Sequence, residues 1–471
     1  MVKTPKAVPD APGSHEDTAT RSPRVHQAWW VLAVALLVIT AANASIAMPG
    51  VLTEPLHGEF HWSRGTIGFA ASVNLLFFGL TAPFSAALMD RFGIRRVVVG
   101  ALGLIGAGAA LTTVMTQPWQ MALYWGLLIG LGSGSMATTF AATVANRWFL
   151  QRRGLVTGLL GGAAHLGQLI FLPGLAWIVE HFAWRPGVVT LALAALVMVP
   201  LVCLMLRDHP ADAGLKPYGA AEFIPKPAPV PGAARRAVRV LAAAARTRPF
   251  WLLAGTFVIC GATTNGIQFV HFTPAAHDHG MPVTVASSLL AAIGIFSFVG
   301  TIASGWLTDR LDPRWLLAGY YSLRGLTLIL LPLVMTPDVE LPMLAFVVVY
   351  GLIDVATVPP TIALCRERYG LENSPIVFGW ITASHQLGAG LMAVGGGMAR
   401  DAFGSYTPVW MAAGGICATA ALMVTLVRHP AAAGSGLEAE GCRPGHGADA
   451  TASAAPPGRT RFQTSHTEDP T

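Results

Sequence analysis

The sequence predicts an all-α membrane protein in which twelve transmembrane helices form two pseudo-symmetric six-helix bundles. Three observations lead to this fold class: an apolar composition, twelve long apolar stretches and an internal repeat. Of the 471 residues, 53% are hydrophobic and only 11% are charged. A soluble domain carries about 25% charged residues, so this chain has too few charges to cover a water-exposed surface.

Each apolar stretch is long enough to cross a bilayer, because a hydrocarbon core about 30 Å thick requires roughly 20 residues of helix. Short turns that contain proline, such as TQPWQ at 116–120, separate neighbouring stretches. The predicted spans are centred on residues 28–50, 66–88, 97–115, 119–145, 153–180, 185–206, 249–274, 283–307, 314–335, 341–365, 375–399 and 406–428.

Polar segments divide the chain into five parts. Residues 1–27 and 429–471 are polar and rich in small residues and proline, so we expect disordered tails that bury no core. The basic, Pro/Ala-rich segment 207–248 is predicted to be a linker loop between one six-helix bundle at 28–206 and a second at 249–428. The first span has no small-residue cleavage site after it, which favours an uncleaved anchor helix over a signal peptide.

The positive charges indicate how the chain is oriented. Arg64, Arg185 and Arg400 lie in loops on one side, and Arg324 lies inside a span. The other lysines and arginines occupy the termini and the alternate loops. Cytoplasmic loops carry an excess of these residues, so we predict that both termini are cytoplasmic. The net charge of +6 therefore reflects topology in a lipid bilayer and requires no nucleic-acid partner.

The five cysteines favour neither a disulfide framework nor a zinc site. They form no CxxC pair, and four of them lie in or beside predicted spans. We therefore expect no metal site and no cofactor. The cysteines are Cys203, Cys260, Cys365, Cys417 and Cys442.

A charged phrase occurs twice in the chain. LMDRFGIRR and LTDRLDPRW place Asp90 and Asp309 at an offset of 219. Both copies begin on the same side of the membrane, so the repeat is parallel, and such repeats place a binding site between the halves near the bilayer midplane. Similar offsets pair Arg95 with Arg314, Gly106 with Gly325 and Gly167 with Gly388.

The first phrase resembles the signature loop of the major facilitator superfamily, whose Asp-Arg, Gly and Arg-Arg residues are matched within 90–96. Two features depart from the family pattern. Ala86 stands in place of a glycine, and Asp312-Pro313 replaces the turn glycine in the second copy. The resemblance covers about 28–428 and implies two halves that rock against each other around a central cavity.

The repeated charges are predicted to form a cytoplasmic gate, since they lie where the two halves would meet in an outward-open state. We expect Asp90 and Asp309 either to accept hydrogen bonds from facing helix N-termini or to pair with Arg95 and Arg314. The alternative is topology marking by arginine alone, which does not require a repeated acid. The predicted gate comprises Asp90, Arg91, Gly93, Arg95, Arg96, Asp309, Arg310 and Arg314.

Two charged residues lie deep inside predicted spans, where a charge costs at least about 2.5 kcal/mol and is a functional candidate. Arg324 and Asp354 lie at similar depth in spans 9 and 10, roughly 15 Å from the cytoplasmic face at 1.5 Å per residue. Equal depth on neighbouring spans predicts that they pair. The pair is either a structural ion pair or a functional one, in which Asp354 accepts a proton and releases Arg324.

His165 and His385 are a second pair of candidates at mid-depth in spans 5 and 11. At an offset of 221, His165 lies over Gln386, the neighbour of His385. An imidazole can bind a carboxylate and changes its charge near neutral pH, so we predict substrate or proton binding. The alternative is a hydrogen bond to a neighbouring helix. Three amides at similar depth are further candidates: Asn43, Asn265 and Gln268.

Two stretches resemble one branch of the superfamily more closely. RWFLQRRGLVTGLLGGAAHLG at 147–167 and EFHWSRGTIG at 59–68 are similar to monocarboxylate porters and bacterial oxalate–formate antiporters. That resemblance implies an Arg in span 8 and a Lys in span 1 or 11 as anion ligands, and this chain has neither. An anionic substrate would therefore need His165, His385 or Arg324 as its counter-charge. Otherwise the substrate is neutral or amphipathic.

The predicted function is secondary active transport of a small organic solute, a monocarboxylate or related organic anion, by alternating access. Proton coupling is the expected energy source, because no ATP-binding domain is evident. We expect a monomer in a bacterial inner membrane. The alternative within transport is a multidrug or metabolite efflux antiporter. A remoter alternative is an intramembrane hydrolase using Ser133, Ser135 and His165, but proteolysis has no use for a six-span repeat, so no enzyme activity is predicted. Another is a non-transporting sensor, although only the 207–248 loop and the tail are available as the large cytoplasmic output domain that such a sensor usually has.

Overall fold

The computed structural model describes residues 26–136, 138–226 and 232–427. Within these ranges the chain forms twelve long helices and a short helix in the linker, Ala233–Ala244. Residues 1–25 and 428–471, which hold most of the two predicted tails, lie outside the described part. The long helices are α1 Gln27–Phe60, α2 Arg64–Phe92, α3 Ile94–Thr112, α4 Pro118–Trp148, α5 Arg153–Phe182, α6 Trp184–Met205, α7 Arg248–Gly266 with Gln268–Asp278, α8 Val283–Thr308, α9 Pro313–Val334, α10 Leu341–Gly370, α11 371–403 and α12 Thr407–Thr425.

The helices have the length and composition of membrane spans. Among the described residues, nine are long and apolar enough to cross a bilayer, namely all except α5, α7 and α11. The two arms of α7 make a tenth when the bent pair counts as one span. In α5 the apolar helix is the shorter Leu169–Phe182. All twelve predicted spans are thus helical, and ten of them satisfy the length and hydropathy test.

The two halves, α1–α6 and α7–α12, repeat the same helix pairings. In the first half α1 packs against α5, α2 against α4 and α3 against α6. The second half repeats this with α7 and α11, α8 and α10, and α9 and α12. Glycines aligned by the repeat make equivalent contacts: a Cβ at Gly167 would collide with the Thr40 carbonyl oxygen, and one at Gly388 with that of Val258. Small residues allow such close helix packing, and the repeated pairings confirm the predicted pseudo-symmetry.

Three helix pairs join the halves: α2 with α11, α5 with α8, and α1 with the second arm of α7. The tightest approaches need glycine, because a Cβ at Gly68 would collide with the Ala393 carbonyl oxygen. Two ends of the bundle can be distinguished. The basic end is where α1 begins and α12 ends, and it contains the turns at 90–96 and 309–314. The opposite end contains the turn between α1 and α2.

The linker packs against the bundle instead of forming a plain loop. The α2–α3 turn has Gly93 at φ +87°, and a Cβ there would collide with the carboxylate of Asp208. That carboxylate accepts a hydrogen bond of 2.8 Å from the Arg95 backbone N–H, which stabilises the positive N-terminus of α3. Farther along, Ala233–Ala244 is rich in helix-forming alanine and arginine, and Trp380 of α11 donates to one of its carbonyls at 3.1 Å.

Candidate functional site

A cavity of about 360 Å³ lies between the two halves. One wall comes from α1, α2, α4 and α5, and the other from α7, α10 and α11. Thr157 and Gly161 line it near the start of α5 and are exposed, so the cavity extends towards the basic end. The polar residues that line it are Asn43, Thr157, Cys260, Thr264, Asn265, Asp354, Thr357, Thr382, His385 and Gln386.

The two walls differ in chemistry. Among the described lining residues, the first half contributes only two polar side chains, Asn43 and Thr157. Every ionisable lining side chain in the described part comes from the second half: Cys260, Asp354 and His385. No lysine or arginine is among the described residues of either wall. The cavity therefore presents one mainly apolar wall and one polar, titratable wall.

A bend in α7 brings polar groups to the cavity. The helix turns by 44° beside a π-helical segment, Ala262–Gly266, and π segments inside helices are frequent at functional sites. Thr264 Oγ1 lies 3.3 Å from His385 Nε2, and Asn265 donates to the Gln386 amide oxygen at 3.4 Å. The bend thus places two polar side chains of α7 against two in the middle of α11.

A break in α10 forms the adjacent part of the wall. The helix is interrupted at residues 355–357, and Pro359 and Pro360 follow the break. Proline has no N–H with which to bond the carbonyl one turn earlier, so the helix loses two hydrogen bonds here. Ser304 of α8 donates to the Ala356 carbonyl at 2.6 Å and replaces one of them.

Asp354 ends the first part of α10 and lies in the cavity wall. Only 5% of the residue is exposed. Its Oδ2 accepts a hydrogen bond from Ser297 Oγ at 3.1 Å, whereas Oδ1 has no hydrogen-bond partner among the described residues. A buried carboxylate oxygen without a partner is costly, which makes Asp354 a candidate for binding a proton or a ligand.

Arg324 is adjacent to Asp354, but the predicted ion pair between the side chains is not formed. The fully buried guanidinium donates from Nη2 to the backbone carbonyls of Ile353, at 2.8 Å, and of Asp354. These carbonyls end the first part of α10, and a cation at a helix C-terminus is favourable. Nη1 contacts Cys260 Sγ at 3.1 Å. Arg324 therefore caps the C-terminus of the first part of α10, and it is not among the described residues that line the cavity.

The other predicted binding residues have different positions. His385 and Asn265 line the cavity, as does Asn43, whose amide also donates to the Ile39 carbonyl of its own helix at 2.9 Å. Gln268 is buried, its amide has no hydrogen-bond partner among the described residues, and it is not one of the described lining residues. The side chain of His165 lies outside the described part of the structure.

Six polar lining residues are not among the candidates that the sequence predicts: Thr157, Cys260, Thr264, Thr357, Thr382 and Gln386. Depth along a span was the criterion used there, and depth does not indicate which face of a helix is turned inwards. The adjacent prolines of VATVPP could have indicated the break in α10, and hence the exposure of Thr357 and Asp354.

At the basic end, the first charged turn forms an ion pair different from the expected one. Asp90 pairs with Arg147 at 2.5 Å, not with Arg95. Arg147 ends α4, which packs beside α2, and the backbone N–H of Arg95 is already bonded to the linker. Arg91 and Arg96 are exposed.

The second charged turn also pairs within itself. Arg314 forms its ion pair with Asp312 at 2.5 Å, not with Asp309, because the Asp312 carboxylate also caps α9 by accepting from the Arg314 N–H at 2.9 Å. Arg310 lies over the Trp306 ring at 3.9 Å, and Asp309 is exposed. In this state each charged turn thus forms its ion pair within its own half, and neither of these two ion pairs joins the halves.

Charged residues join the two halves at the opposite end. Asp401 of α11 accepts hydrogen bonds of 2.8 and 3.2 Å from backbone N–H groups at the start of α2. The guanidinium of Arg64 pairs with Glu54 at 2.9 Å and lies 3.8 Å from Asp278 of α7. Arg400 donates to Asp278 at 2.7 Å. No sequence spacing connects these partners, and from the sequence Arg64 and Arg400 indicate only topology.

Known proteins share this sequence pattern and fold. The pattern of the Major Facilitator Superfamily matches residues 32–275 and 258–457. Monocarboxylate transporter 13 of Bos taurus is 28% identical, over 84% of this chain and 89% of its own length. An MFS-type efflux pump of Mycolicibacterium smegmatis is 29% identical, over 65% and 68%. Among solved structures, a D-xylose–proton symporter has a TM-score of 0.63 at 13% identity and covers 85% of this chain and 97% of its own.

Proposed function

Because the chain belongs to the Major Facilitator Superfamily, we propose that it carries a small organic acid, together with a proton, through the cavity between its halves. It is an integral membrane transport protein of the kind that includes the monocarboxylate transporters, and it is not an enzyme. The observation that carries the proposal is the division of the cavity into a mainly apolar wall and a wall that holds every described ionisable lining group.

An amphipathic acid fits these two walls. Its hydrocarbon part would contact Ile39, Phe78 and Leu160 of the first half, and its carboxylate would face the second half. A carboxylate out of bulk water needs a compensating charge. With no lysine or arginine among the described lining residues, His385 is the described group that can supply it, by binding a proton. Substrate and proton would then enter as a neutral pair.

Alternating access would move this load across the membrane. The ion pairs and backbone contacts at the opposite end hold the halves together there, while the cavity extends towards the basic end. In the other state we expect the opposite end to open and the basic end to close. Asp90, Arg91, Gly93, Arg95, Arg96, Asp309, Arg310 and Arg314 remain our proposed gate for that closure.

The orientation follows from the charges. The basic end carries the arginine-rich turns, so we place it and both termini in the cytoplasm. A bacterial inner membrane, a monomeric state and bundles at 28–206 and 249–428 belong to the same proposal. His165 stays a predicted partner of His385, and Asn43, Asn265 and Gln268 stay predicted polar contacts.

A second candidate, proton-driven export of organic cations, is favoured by one specific observation. Asp354 offers a carboxylate oxygen without a partner on the cavity wall, and an anionic group is what a cationic amphiphile would bind. The same site would then exchange the cation for a proton.

Proteoliposomes containing a pH-sensitive dye separate the two candidates. With an inward proton gradient, acid symport should accelerate uptake of radiolabelled lactate, pyruvate or benzoate and acidify the lumen. Protein-free liposomes correct for diffusion of the undissociated acids. Cation export should instead release protons from an acidic lumen when ethidium is added outside. An absence of gradient-dependent movement of any acid in the panel would overturn the proposed symport.

A further inference from the structure

Cys260 occupies an unusual position, on the cavity wall and directly beside a buried cation. Its Sγ lies 3.1 Å from Arg324 Nη1 and 3.5 Å from Thr357 Oγ1. The thiolate is the reactive form of cysteine, and a neighbouring arginine stabilises it. Of the described cysteines, Cys260 alone lines the cavity; Cys260 is itself buried, as are Cys365 and Cys417.

The guanidinium has no other anion in direct contact within the described residues. Its Nη2 donates to two backbone carbonyls, and its Nε has no partner in the described ranges. The Asp354 carboxylate is turned towards Ser297. A buried cation without a counter-charge is strongly unfavourable, so the sulfur at Nη1 is the group placed to supply negative charge.

The other titratable groups around the sulfur come from four helices. The positive charges are Arg324 of α9 and, when protonated, His385 of α11, and the negative charge is Asp354 of α10. Tyr321, Tyr350 and Cys417 are the neutral neighbours from α9, α10 and α12. Of these charged groups, Arg324 contacts the sulfur at 3.1 Å, and His385 also forms a side-chain hydrogen bond with it.

The same wall offers a hydrogen-bond acceptor to an incoming molecule. Within the part of the chain that the structure describes, neither Asp354 Oδ1 nor His385 Nδ1 has a hydrogen-bond partner, and only 5% of Asp354 is exposed. A small uncharged molecule with an amide N–H could therefore be held by Asp354 while its electrophilic carbon faces Cys260.

We propose that Cys260 is an arginine-activated nucleophilic thiol, and that it is a modification site for small uncharged electrophiles entering the cavity. With iodoacetamide, the sulfur forms an S–C bond as the C–I bond breaks, and iodide leaves with the bonding electrons. The added carbamoylmethyl group then occupies the cavity. Inhibition of transport by this group rests on the proposed function, but the reactivity of the thiol does not.

The test is the pH dependence of alkylation in the full-length protein. Proteoliposomes are treated with limiting iodoacetamide at pH 6, 7 and 8, and each cysteine is quantified by peptide mass spectrometry. An ordinary thiol reacts roughly 80-fold faster at pH 8 than at pH 6, because its pKa is about 8.5. Cys260 should react first among the five cysteines, and its rate should change less than about threefold.

The pH dependence of alkylation of free cysteine in the same sample is the reference. Two variants test whether Arg324 causes the difference from it. Arg324→Gln should restore a steep pH dependence, whereas Arg324→Lys keeps a cation and should retain a flat profile. If Arg324→Gln does not fold, the pH dependence of Cys260 alkylation in the unaltered chain still tests whether the thiol is activated. A Cys260 rate that rises in parallel with free cysteine, or no alkylation of Cys260 at any pH, would overturn the proposal.

Transport measurements separate this site from the proposed function. Iodoacetamide should inhibit acid uptake by the unaltered chain and leave Cys260→Ser uninhibited. A flat alkylation profile without any inhibition would support the reactive thiol and count against the cavity as the transport route.

Discussion

The two halves of the molecule come from one repeat, yet they have kept its packing and diverged in their chemistry. Gly167 and Gly388 make the same close helix contact in the first and second halves. By contrast, Arg324 and Asp354 of the second half align with Ile105 and Ile129 of the first, both fully buried.

This difference indicates where each half is constrained. Helix crossings depend on small residues that any substitution would disturb, so both copies retain them. A charged side chain inside a membrane is costly and is retained only where it has a function. The buried charges are therefore present in one half only. The first half acts mainly as an apolar wall, and the second half provides the titratable groups.

The largest effect is expected for Asp354→Asn, which removes from the titratable wall the carboxylate whose Oδ1 has no partner among the described residues. If Asp354 takes part in proton transfer, gradient-driven uptake should fall roughly 100-fold, while exchange of labelled for unlabelled substrate without a gradient persists. Proteoliposome uptake with and without a pH gradient measures both. Asp338→Asn, in the turn between α9 and α10, is the matched control and should behave as the unaltered chain does. Undiminished gradient-driven uptake by Asp354→Asn would leave this residue with a structural role only.

The second prediction concerns the close helix contact that the two halves share at Gly167 and Gly388. Gly167→Ala and Gly388→Ala should each lower stability by about 1–3 kcal/mol, because the added methyl forces two helix backbones apart. Thermal unfolding in detergent measures the loss, and the two variants should agree closely. Gly100→Ala and Gly319→Ala are the matched controls, since a Cβ at either position meets nothing within 4 Å. They should be neutral or slightly stabilising, as glycine costs about 1 kcal/mol in a helix. Unequal losses at Gly167 and Gly388 would contradict equivalent packing.

Much of this symmetry was predictable from sequence, and the reason is physical. A membrane requires helices of nearly fixed length, so apolar stretches indicate the spans, and duplicated residues indicate which spans correspond. Depth in the membrane follows from counting residues along a span. It predicted that Arg324 and Asp354 pair, whereas Arg324 binds the backbone carbonyl of Asp354 and not its carboxylate.

Hydrogen-bond partners were less predictable, because they depend on helix irregularities and on rotation about the helix axis. Arg324 binds the carbonyls freed by the α10 break instead of the Asp354 carboxylate. Gln268 has a depth similar to Asn265, yet it lies beyond the bend in α7 and is not in the cavity wall. Neither result follows from the spacing of residues in the sequence.

The third prediction tests whether the titratable wall binds the anion. His385→Gln keeps a polar side chain but cannot carry a positive charge. Losing a charge-assisted hydrogen bond of about 1.5–3 kcal/mol should weaken binding of a monocarboxylate at pH 6 by roughly tenfold or more. The effect should shrink at pH 8, because a lower proton concentration leaves less positive charge for the substitution to remove. Competition with labelled substrate measures the affinity, and His279→Gln, near the opposite end, is the control. A loss of equal size at both pH values would assign His385 a structural role.

The smallest effect is expected at the basic end, where the halves differ in how they cap a helix. The α9 N-terminus is capped by its own Asp312, whereas α3 depends on Asp208 from the linker. The next residue, His209, is buried. Burial, and secondarily the charge of Arg147, lowers the pKa of His209 below its usual value. The folded protein thus favours the neutral ring.

A lowered pKa in the folded state gives a definite sign to the pH dependence. The neutral ring contributes stability above the unfolded-state pKa of about 6.5, and this contribution is lost as the pH falls through the lower folded-state value. Thermal unfolding at pH 5.5 and 7.5 should therefore show a drop at low pH that is smaller in His209→Gln. His277→Gln, at the opposite end of the bundle, should leave the drop unchanged. If His209→Gln loses as much thermal stability between pH 7.5 and 5.5 as the unaltered chain does, protonation of His209 does not weaken the attachment of the linker to α3. The basic end of the first half would then be no more sensitive to acid than that of the second half.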